Sequence, residues 1–349
     1  MSTTTKAPGL ASDGYDRRRE LQAFDDTKAG VKGLVDAGIT AVPAIFRHQQ
    51  QQQQVTTSIS SPSSVLSCSI PVIDLSVADE PRGRQEVVAQ VKAASETAGF
   101  FQVVNHGVPG DLLSEMLASV KRFNEEAAEE KRPYYTRDTG RKVRFNSNFD
   151  LFQSPAANWR DTLFCEAAPE PPRLEELPVA VRHALLEYGA AARTLAVRVL
   201  ELLSEALGLA RDHLREMGCV EGLSVDDDHA MGGLQVLLDH PAAGARWVDV
   251  PPLPGALLIN IGDLLQLVSN GRFKSVEHRV VANKSRDTPR VSVACFCNAD
   301  IARSTRLYGP IASDDPPVYR SVTVPEFLAH YDKKGLDGRP TLHYFQLPK

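Results

Sequence analysis

Apolar residues recur at helical spacing in four segments of the first two thirds of the chain. The clearest pattern runs from Val181 to Ala206, where apolar residues step by four and three in turn and stop before Gly208. Segments 15–35, 82–98 and 112–123 show the same periodicity more briefly. The pattern predicts amphipathic helices in all four segments, and a further helix near 325–333.

Short β-branched segments separated by turn residues make up the rest of the ordered chain. Segments 70–75 and 100–107 flank the helix predicted at 82–98, so we predict a strand–helix–strand unit there. Short strands are also predicted at 233–238, 246–250, 256–261, 274–281 and 290–297. This alternation of strands with Pro, Gly and Asn turns is typical of an antiparallel sandwich or barrel.

A low-complexity stretch separates the first helices from the remainder. Six consecutive glutamines begin at Gln49, and a Ser/Thr/Pro-rich sequence follows to Ser69. We therefore predict four parts: an N-terminal helical segment (1–48), a linker (49–69), an α/β domain (70–218) and a β-rich domain with a final helix (219–349).

Charge and composition narrow the class of function. Lys and Arg number 39 and Asp and Glu 44, which gives a net charge of −5 and argues against binding to nucleic acid or anionic lipid. No apolar run approaches the ~18 residues of a membrane span. The first 20 residues lack the apolar core of a secretory signal, and the five cysteines include no Cys-x-x-Cys pair. We expect a cytoplasmic protein that acts on a small molecule.

Two strands carry candidate site residues. In the segment 274–281, His278 shares a face with Val276 and Val280, as either a hydrogen-bonded core histidine or a metal ligand. In the last predicted strand, Arg290 and Ser292 share a face. A buried guanidinium next to a hydroxyl suits a bound carboxylate, although an internal salt bridge would satisfy the arginine equally well.

Several motifs, taken together and in order, resemble those of the plant iron(II)/2-oxoglutarate-dependent dioxygenases, particularly the benzoxazinoid-glucoside dioxygenases of grasses. The motifs are Gly14-Tyr-Asp-Arg-Arg-Arg-Glu-Leu-Gln-Ala-Phe-Asp-Asp26, Gly99-Phe-Phe-Gln-Val-Val-Asn-His-Gly-Val108, Asn158-Trp-Arg-Asp-Thr-Leu163, Gly232-Gly-Leu-Gln-Val236, Asn260-Ile-Gly-Asp263, Ser275-Val-Glu-His-Arg279 and Arg290-Val-Ser292. They extend over nearly the whole chain.

The resemblance implies a fold, a cofactor and a reaction. The fold is an α+β, mainly β architecture: a double-stranded β-helix (jelly-roll) core with N-terminal helices outside it. By this resemblance His278 is a ligand of Fe(II), and Arg290 with Ser292 holds the distal carboxylate of 2-oxoglutarate. Two histidines and one carboxylate bind the metal in such enzymes, and ascorbate supports turnover. The implied activity is oxidation of a small plant specialised metabolite.

The chain departs from the family pattern at one place. The family has a His-x-Asp pair, preceded by a Tyr-Pro-Pro-Cys-like stretch, before the strand at 233–238. Here the sequence passes from Cys219 almost directly to Gly232, so a block of about two strands is missing. Asp227 and His229 could substitute as a reversed Asp-x-His, but their register favours a solvated acidic turn.

The missing block leads to further predictions about iron binding, association and the origin of the sequence. With one of three ligands present, we expect weak or absent iron binding. We expect a monomer whose incomplete core exposes strand edges that allow association. A splice form, an incorrect gene model and a decayed duplicate all remain open, as do a non-catalytic binding scaffold and an unrelated cupin-like barrel.

Overall fold

The structure, a computed structural model, describes residues 15–47, 70–228, 233–240, 244–283, 285, 288–299, 304–311, 315–334 and 339–348. The predicted linker at 49–69 and His229 lie outside the described residues. The α-helices are α1 (Arg17–Asp26), α2 (Gly30–Asp36), α3 (Pro81–Thr97), α4 (Gly110–Glu125), α5 (Ala128–Lys131), α6 (Arg182–Ala206), α7 (His213–Glu216), α8 (Asp263–Val268) and α9 (Val324–Lys334). No helix in these ranges is both long and apolar enough to cross a membrane.

The strands form four sheets. The strands are β1 (Val72–Asp74), β2 (Phe100–Val104), β3 (Val143–Asn146), β4 (Thr162–Ala168), β5 (Gly222–Asp228), β6 (Leu234–His240), β7 (Gly244–Asp249), β8 (Leu257–Asn260), β9 (His278–Val280), β10 (Ser292–Asn298), β11 (Leu307–Tyr308) and β12 (Val322–Thr323). Their orders are β1-β2-β8, β3-β4-β5-β10, β7-β6-β9 and β11-β12. Among the described strands, only β1 and β2 pair in parallel, on either side of the helix α3, as the predicted strand–helix–strand unit requires.

Helix α3 ends where the sequence predicts, for a steric reason. Gly99 follows it with φ +65°, a left-handed conformation that terminates helices. A Cβ atom at this position would lie 2.2 Å from the carbonyl oxygen of Lys274. Glycine is therefore required both for the backbone turn and for the approach of the segment that leads to β9.

Helix α6 packs against two of the sheets. Its N-terminal half, with Leu185 and Tyr188, contacts a core formed by β3, β4 and β5, in which Phe145 and Val225 are buried. Its C-terminal half, with Leu202 and Leu203, belongs to a second core that also contains Phe101 of β2. The long apolar stripe in the sequence is therefore matched by two adjacent cores under one helix.

The helices at 15–35 attach to the α/β domain through polar contacts. Asp16 caps α1 by accepting from the backbone N–H of Arg19 at 3.2 Å. Asp25, at the end of α1, accepts hydrogen bonds from Tyr135 at 2.5 Å and from the guanidinium of Arg137 at 2.8 and 2.9 Å. The cluster ties the first helix to the segment that precedes β3.

Two strand predictions and one turn prediction need correction. The strand predicted at 274–281 extends only over His278–Val280, because hydrogen bonds from the backbone N–H groups of Lys274 and Ser275 hold the preceding segment on Ser95 and Gln266. The strand predicted at 290–297 begins only at Ser292. The acidic residues 226–228 belong to β5, which pairs with β4 and β10, so the prediction of a solvated turn there is wrong.

Candidate cofactor site

His278 lies at the start of β9, opposite Val236 of β6. Its Nδ1 is 3.2 Å from the carbonyl oxygen of Val276, and its ring meets Phe100 edge to face at 5.4 Å between centroids. The residue is exposed, and so are its neighbours Arg279 and Val280. His278 thus contacts the buried Phe100 while remaining exposed, which does not fit a core histidine, and its role as a metal ligand stays a prediction.

The segment before His278 is fixed by helix α8. Ser275 donates its backbone N–H to Oε1 of Gln266 at 2.6 Å, and Nε2 of the same glutamine donates to the Tyr319 hydroxyl at 3.0 Å. Burial raises the pKa of Asp263, the first residue of α8, against the opposing effects of a Ser275 hydrogen bond and the nearby Lys334 and His278. The Asp263 carboxyl interacts electrostatically with the His278 imidazole. In the sequence, the motif Asn260-Ile-Gly-Asp263 was the feature that could have identified Asp263 as a candidate site residue.

Arg290 and Ser292 lie at the beginning of β10, in a different sheet from His278. Arg290 precedes the strand and is buried, with 8% of its surface exposed, whereas Ser292 is half-buried. Ser292 pairs with Asp228 of β5. A buried guanidinium at a strand end can bind a carboxylate in a bidentate manner, which is the role that the sequence predicts for it.

The backbone register of β5 sets Asp227 and Asp228 opposite successive residues of β10. Asp227 pairs with Val293, whereas Ser292 pairs with Asp228, one position along. Successive positions of a strand belong to opposite faces of a sheet. The face of Val293 packs on the core that contains Val225 and Tyr188. The reversed Asp-x-His alternative stays a prediction, because His229 lies outside the described residues.

The residues present do not fit an iron(II) ion. Within the part of the chain that the structure describes, no three His, Cys, Asp or Glu side chains are grouped to hold a metal. The histidine that the resemblance assigns to iron is exposed. Iron affinity requires several ligands in a fixed geometry, and the described residues supply one. The described residues therefore support no metal-centred step.

Two other motifs of the sequence have structural roles. In the motif that ends at Val108, His106 is buried, its Nδ1 accepts from the Val108 N–H at 3.1 Å, and its Nε2 lies 3.0 Å from the carbonyl oxygen of Gly255. Asp161 accepts from the N–H groups of Val31 at 2.7 Å and Lys32 at 2.8 Å. Both residues connect distant segments of the backbone.

Two family descriptions match the chain. Residues 70–184 match the N-terminal region of non-haem dioxygenases in morphine synthesis, and residues 219–299 match the 2OG-Fe(II) oxygenase superfamily. Among similar plant proteins, 1-aminocyclopropane-1-carboxylate oxidase homolog 1 of Arabidopsis thaliana is 43% identical over 95% of this chain and 97% of its own length. A homolog from Solanum lycopersicum is 41% identical over 96% and 98%.

These alignments contain positions to which the chain contributes no residue. The Arabidopsis alignment extends over 365 positions, whereas 95% of 349 residues is about 332. The tomato alignment extends over 374 positions, whereas 96% is about 335. About 33 and about 39 positions of the two alignments are therefore gaps in this chain.

Solved structures agree with the predicted fold. A crystal structure of JOX2 in complex with 2OG, Fe, and JA has a TM-score of 0.72 and 25% identity, over 91% of this chain and 98% of that one. The dioxygenase for auxin oxidation in rice has a TM-score of 0.62 and 24% identity, over 80% and 100%. The prediction of a double-stranded β-helix with outer helices is confirmed by these two structures.

Proposed function

Because the chain belongs to the 2-oxoglutarate- and iron(II)-dependent dioxygenase family, we propose that its substrate class is a small plant specialised metabolite, with a benzoxazinoid glucoside as the candidate. The motifs shared with the grass dioxygenases support this substrate class. The relatives that align over nearly the whole chain are plant proteins, which supports a plant metabolite as the substrate. The solved structure of JOX2, which has this fold, is a complex with 2OG, Fe, and JA, and it supports the proposal of a further ligand besides 2OG and Fe.

Arg290 and Ser292 are the proposed contacts to 2-oxoglutarate. The guanidinium is buried, and a buried arginine binds best to an anion that accepts two parallel hydrogen bonds. The hydroxyl of Ser292 lies two residues further along, at the first position of β10. Iron(II) and 2-oxoglutarate together supply the oxidising power in this family, and ascorbate is the proposed reductant in an assay.

We further propose that this polypeptide turns over far more slowly than its relatives. The observation that carries this proposal is the exposed His278 without a second and third ligand among the described residues. A metal held by one neutral imidazole exchanges with water, because each missing ligand lowers affinity and removes geometric constraint. The proposed location is the cytosol, where free thiols such as those of Cys219 and Cys297 persist.

Succinate release from 2-oxoglutarate tests the proposed loss of turnover. The chain is incubated with Fe(II), ascorbate and oxygen, beside the Arabidopsis relative under the same conditions. We expect succinate release below about 1% of that of the relative, because loss of outer-shell partners alone costs about 10–100-fold. The variant His278→Ala is expected to release succinate at the same low rate as the unmodified chain. Release at the rate of the relative, lost in His278→Ala, would contradict the proposal.

A second candidate function is dicarboxylate binding without oxidation, which the buried Arg290 favours. A ligand raises the melting temperature only if it binds the folded state. We expect 2-oxoglutarate alone to raise Tm by the same amount as 2-oxoglutarate with Fe(II), and Arg290→Gln to abolish the rise. A shift that requires Fe(II) would instead indicate an assembled metal site.

A further inference from the structure

A buried aspartate between β3 and β4 has one carboxylate oxygen without a partner. Asp150 is 4% exposed. The hydroxyl of Ser154 donates to its Oδ2, and its backbone carbonyl oxygen accepts from the N–H groups of Gln153 and Ser154, each at 2.9 Å. Its Oδ1 is buried and has no hydrogen-bond partner among the described residues. Because a buried acceptor without a partner costs free energy, a ligand that donates to Oδ1 gains affinity.

The C-terminal helix α9 presents a tyrosine on the face that packs against the protein. Phe327, His330 and Tyr331 are three and four residues apart, so they share this face of the helix. Phe327 stacks on Phe345 at 5.5 Å between ring centroids, and His330 stacks on Tyr344 at 4.0 Å. These contacts fix the helix, and Tyr331 is half-buried beside them.

Charged side chains from three parts of the chain act on Tyr331. Burial raises the pKa of its hydroxyl, the carboxylates of Asp150, Asp263 and Asp332 raise this pKa further, and the guanidinium of Arg160 lowers it. Interactions between charges weaken with distance, so these groups lie near one another. The segment between β3 and β4, the start of α8 and the end of α9 therefore meet in one polar cluster.

This cluster borders the candidate cofactor site. Asp263 interacts electrostatically with Lys334 at the end of α9 and with His278, the residue that the sequence assigns to iron. A ligand that contacts Asp150 and Tyr331 is therefore placed next to the candidate cofactor site.

The charges of the cluster favour a neutral ligand with hydroxyl groups. Its carboxylates disfavour an anion, whereas Arg160 and Lys334 disfavour a cation. Phe149, next to Asp150 in the sequence, is 56% exposed. Polar acceptors next to an exposed aromatic ring suit a ligand that has both hydroxyl donors and apolar faces. A pyranose ring has both.

We propose that Asp150 and Tyr331 form a sugar subsite that binds the glucosyl group of a glucoside. In this subsite Oδ1 of Asp150 accepts a hydrogen bond from one sugar hydroxyl, and the Tyr331 hydroxyl bonds to a second. The inference rests on the proposed substrate class and narrows it to glucosides. A bound water that satisfies Oδ1 is the competing occupant, and the experiment separates the two.

Two probes that differ by the glucosyl group alone test the subsite. Phenyl β-D-glucoside and phenol are titrated into the full chain without iron, and the heat of binding is measured. We expect the glucoside to bind at least about tenfold more tightly than phenol, because the subsite donates and accepts hydrogen bonds that phenol leaves unmade. Equal affinities of the two probes would overturn the proposal.

Three variants assign the binding to the two residues. Asp150→Asn keeps an oxygen for the Ser154 hydroxyl but turns an amide N–H towards the sugar, so we expect at least about tenfold weaker glucoside binding. Tyr331→Phe removes the hydroxyl alone and should weaken binding by about threefold to tenfold. Tyr344→Phe, at a 61% exposed position, is the matched control and should bind as the unmodified chain does.

Equal glucoside affinities of Tyr331→Phe and Tyr344→Phe would overturn the proposal, even where Asp150→Asn fails to fold. The titrations require neither iron nor turnover. Failure of the subsite is therefore distinguishable from failure of the proposed oxidation, which the succinate assay measures.

Discussion

The α/β part of the chain, residues 70–218, and the β-rich part that follows it differ in how their strands are covered. Phe101 and Phe145 in the first part are fully buried under α6. In the second part His278, Val280 and Phe296 are exposed on short strands with open edges. The two parts therefore differ in packing, and we expect the metal site to need the segment formed by the about 33 positions of the Arabidopsis alignment to which this chain contributes no residue.

Insertion of that segment should produce the largest change. We expect a chimera that carries the unmatched Arabidopsis segment between Asp228 and Gly233 to bind about one iron per chain and to release succinate at least about 100-fold faster than the unmodified chain. Iron content and succinate release measure the two effects. A chimera with the same segment in scrambled order is the control, and equal iron in both would contradict the account.

Truncation of one phenylalanine in each part tests the difference in packing. Phe145 contacts Phe123 and Tyr135 edge to face at 5.2 and 5.9 Å and is fully buried. We expect Phe145→Ala to lower the free energy of unfolding by about 4 kcal/mol. Phe296→Ala, at a 48% exposed position, should change it by no more than about 0.5 kcal/mol. Denaturant melts measure both, and equal losses would show that β10 is packed.

The link between α1 and the α/β part should contribute a smaller amount. Asp25→Asn removes the charge that binds Arg137 and Tyr135. We expect a loss of about 2 kcal/mol, the usual size for charged hydrogen bonds that are partly buried. Asp26→Asn is the matched control, because the exposed side chain of Asp26 accepts a hydrogen bond from the uncharged Gln22 of the same helix. Equal stability of the two variants would remove the role assigned to the cluster.

Acid should remove the same contribution gradually. Burial by itself would raise the pKa of Asp25, but the hydrogen bonds from Arg137 and Tyr135 outweigh it and hold the pKa below its ordinary value of 3.8. A lowered pKa in the folded state means that the stabilisation is complete above 3.8 and is lost as the pH falls through the folded pKa. From ~pH 5 to ~pH 3, the unmodified chain should therefore lose more stability than Asp25→Asn. Parallel pH profiles would contradict this.

The helices of residues 70–218 were predicted well, because the spacing of apolar residues on one face is enough to identify an amphipathic helix. The helix expected from Val181 to Ala206 forms as α6. Strand β5 could not be predicted, since Asp226–Asp228 have low strand propensity and are held by pairing with β4 and β10. His278 was identified from its motif. Its exposure could not be predicted, because exposure depends on tertiary packing against residues distant in the sequence. The roles of Arg290 and Ser292 remain predictions.

The iron content of the purified chain tests the central claim most directly. The protein is loaded with Fe(II) under anaerobic conditions, passed through a desalting column and analysed for metal and for protein. The account predicts well under ~0.1 iron per chain, because one exposed imidazole cannot retain the ion. One tightly held iron per chain, lost in His278→Ala, would contradict it.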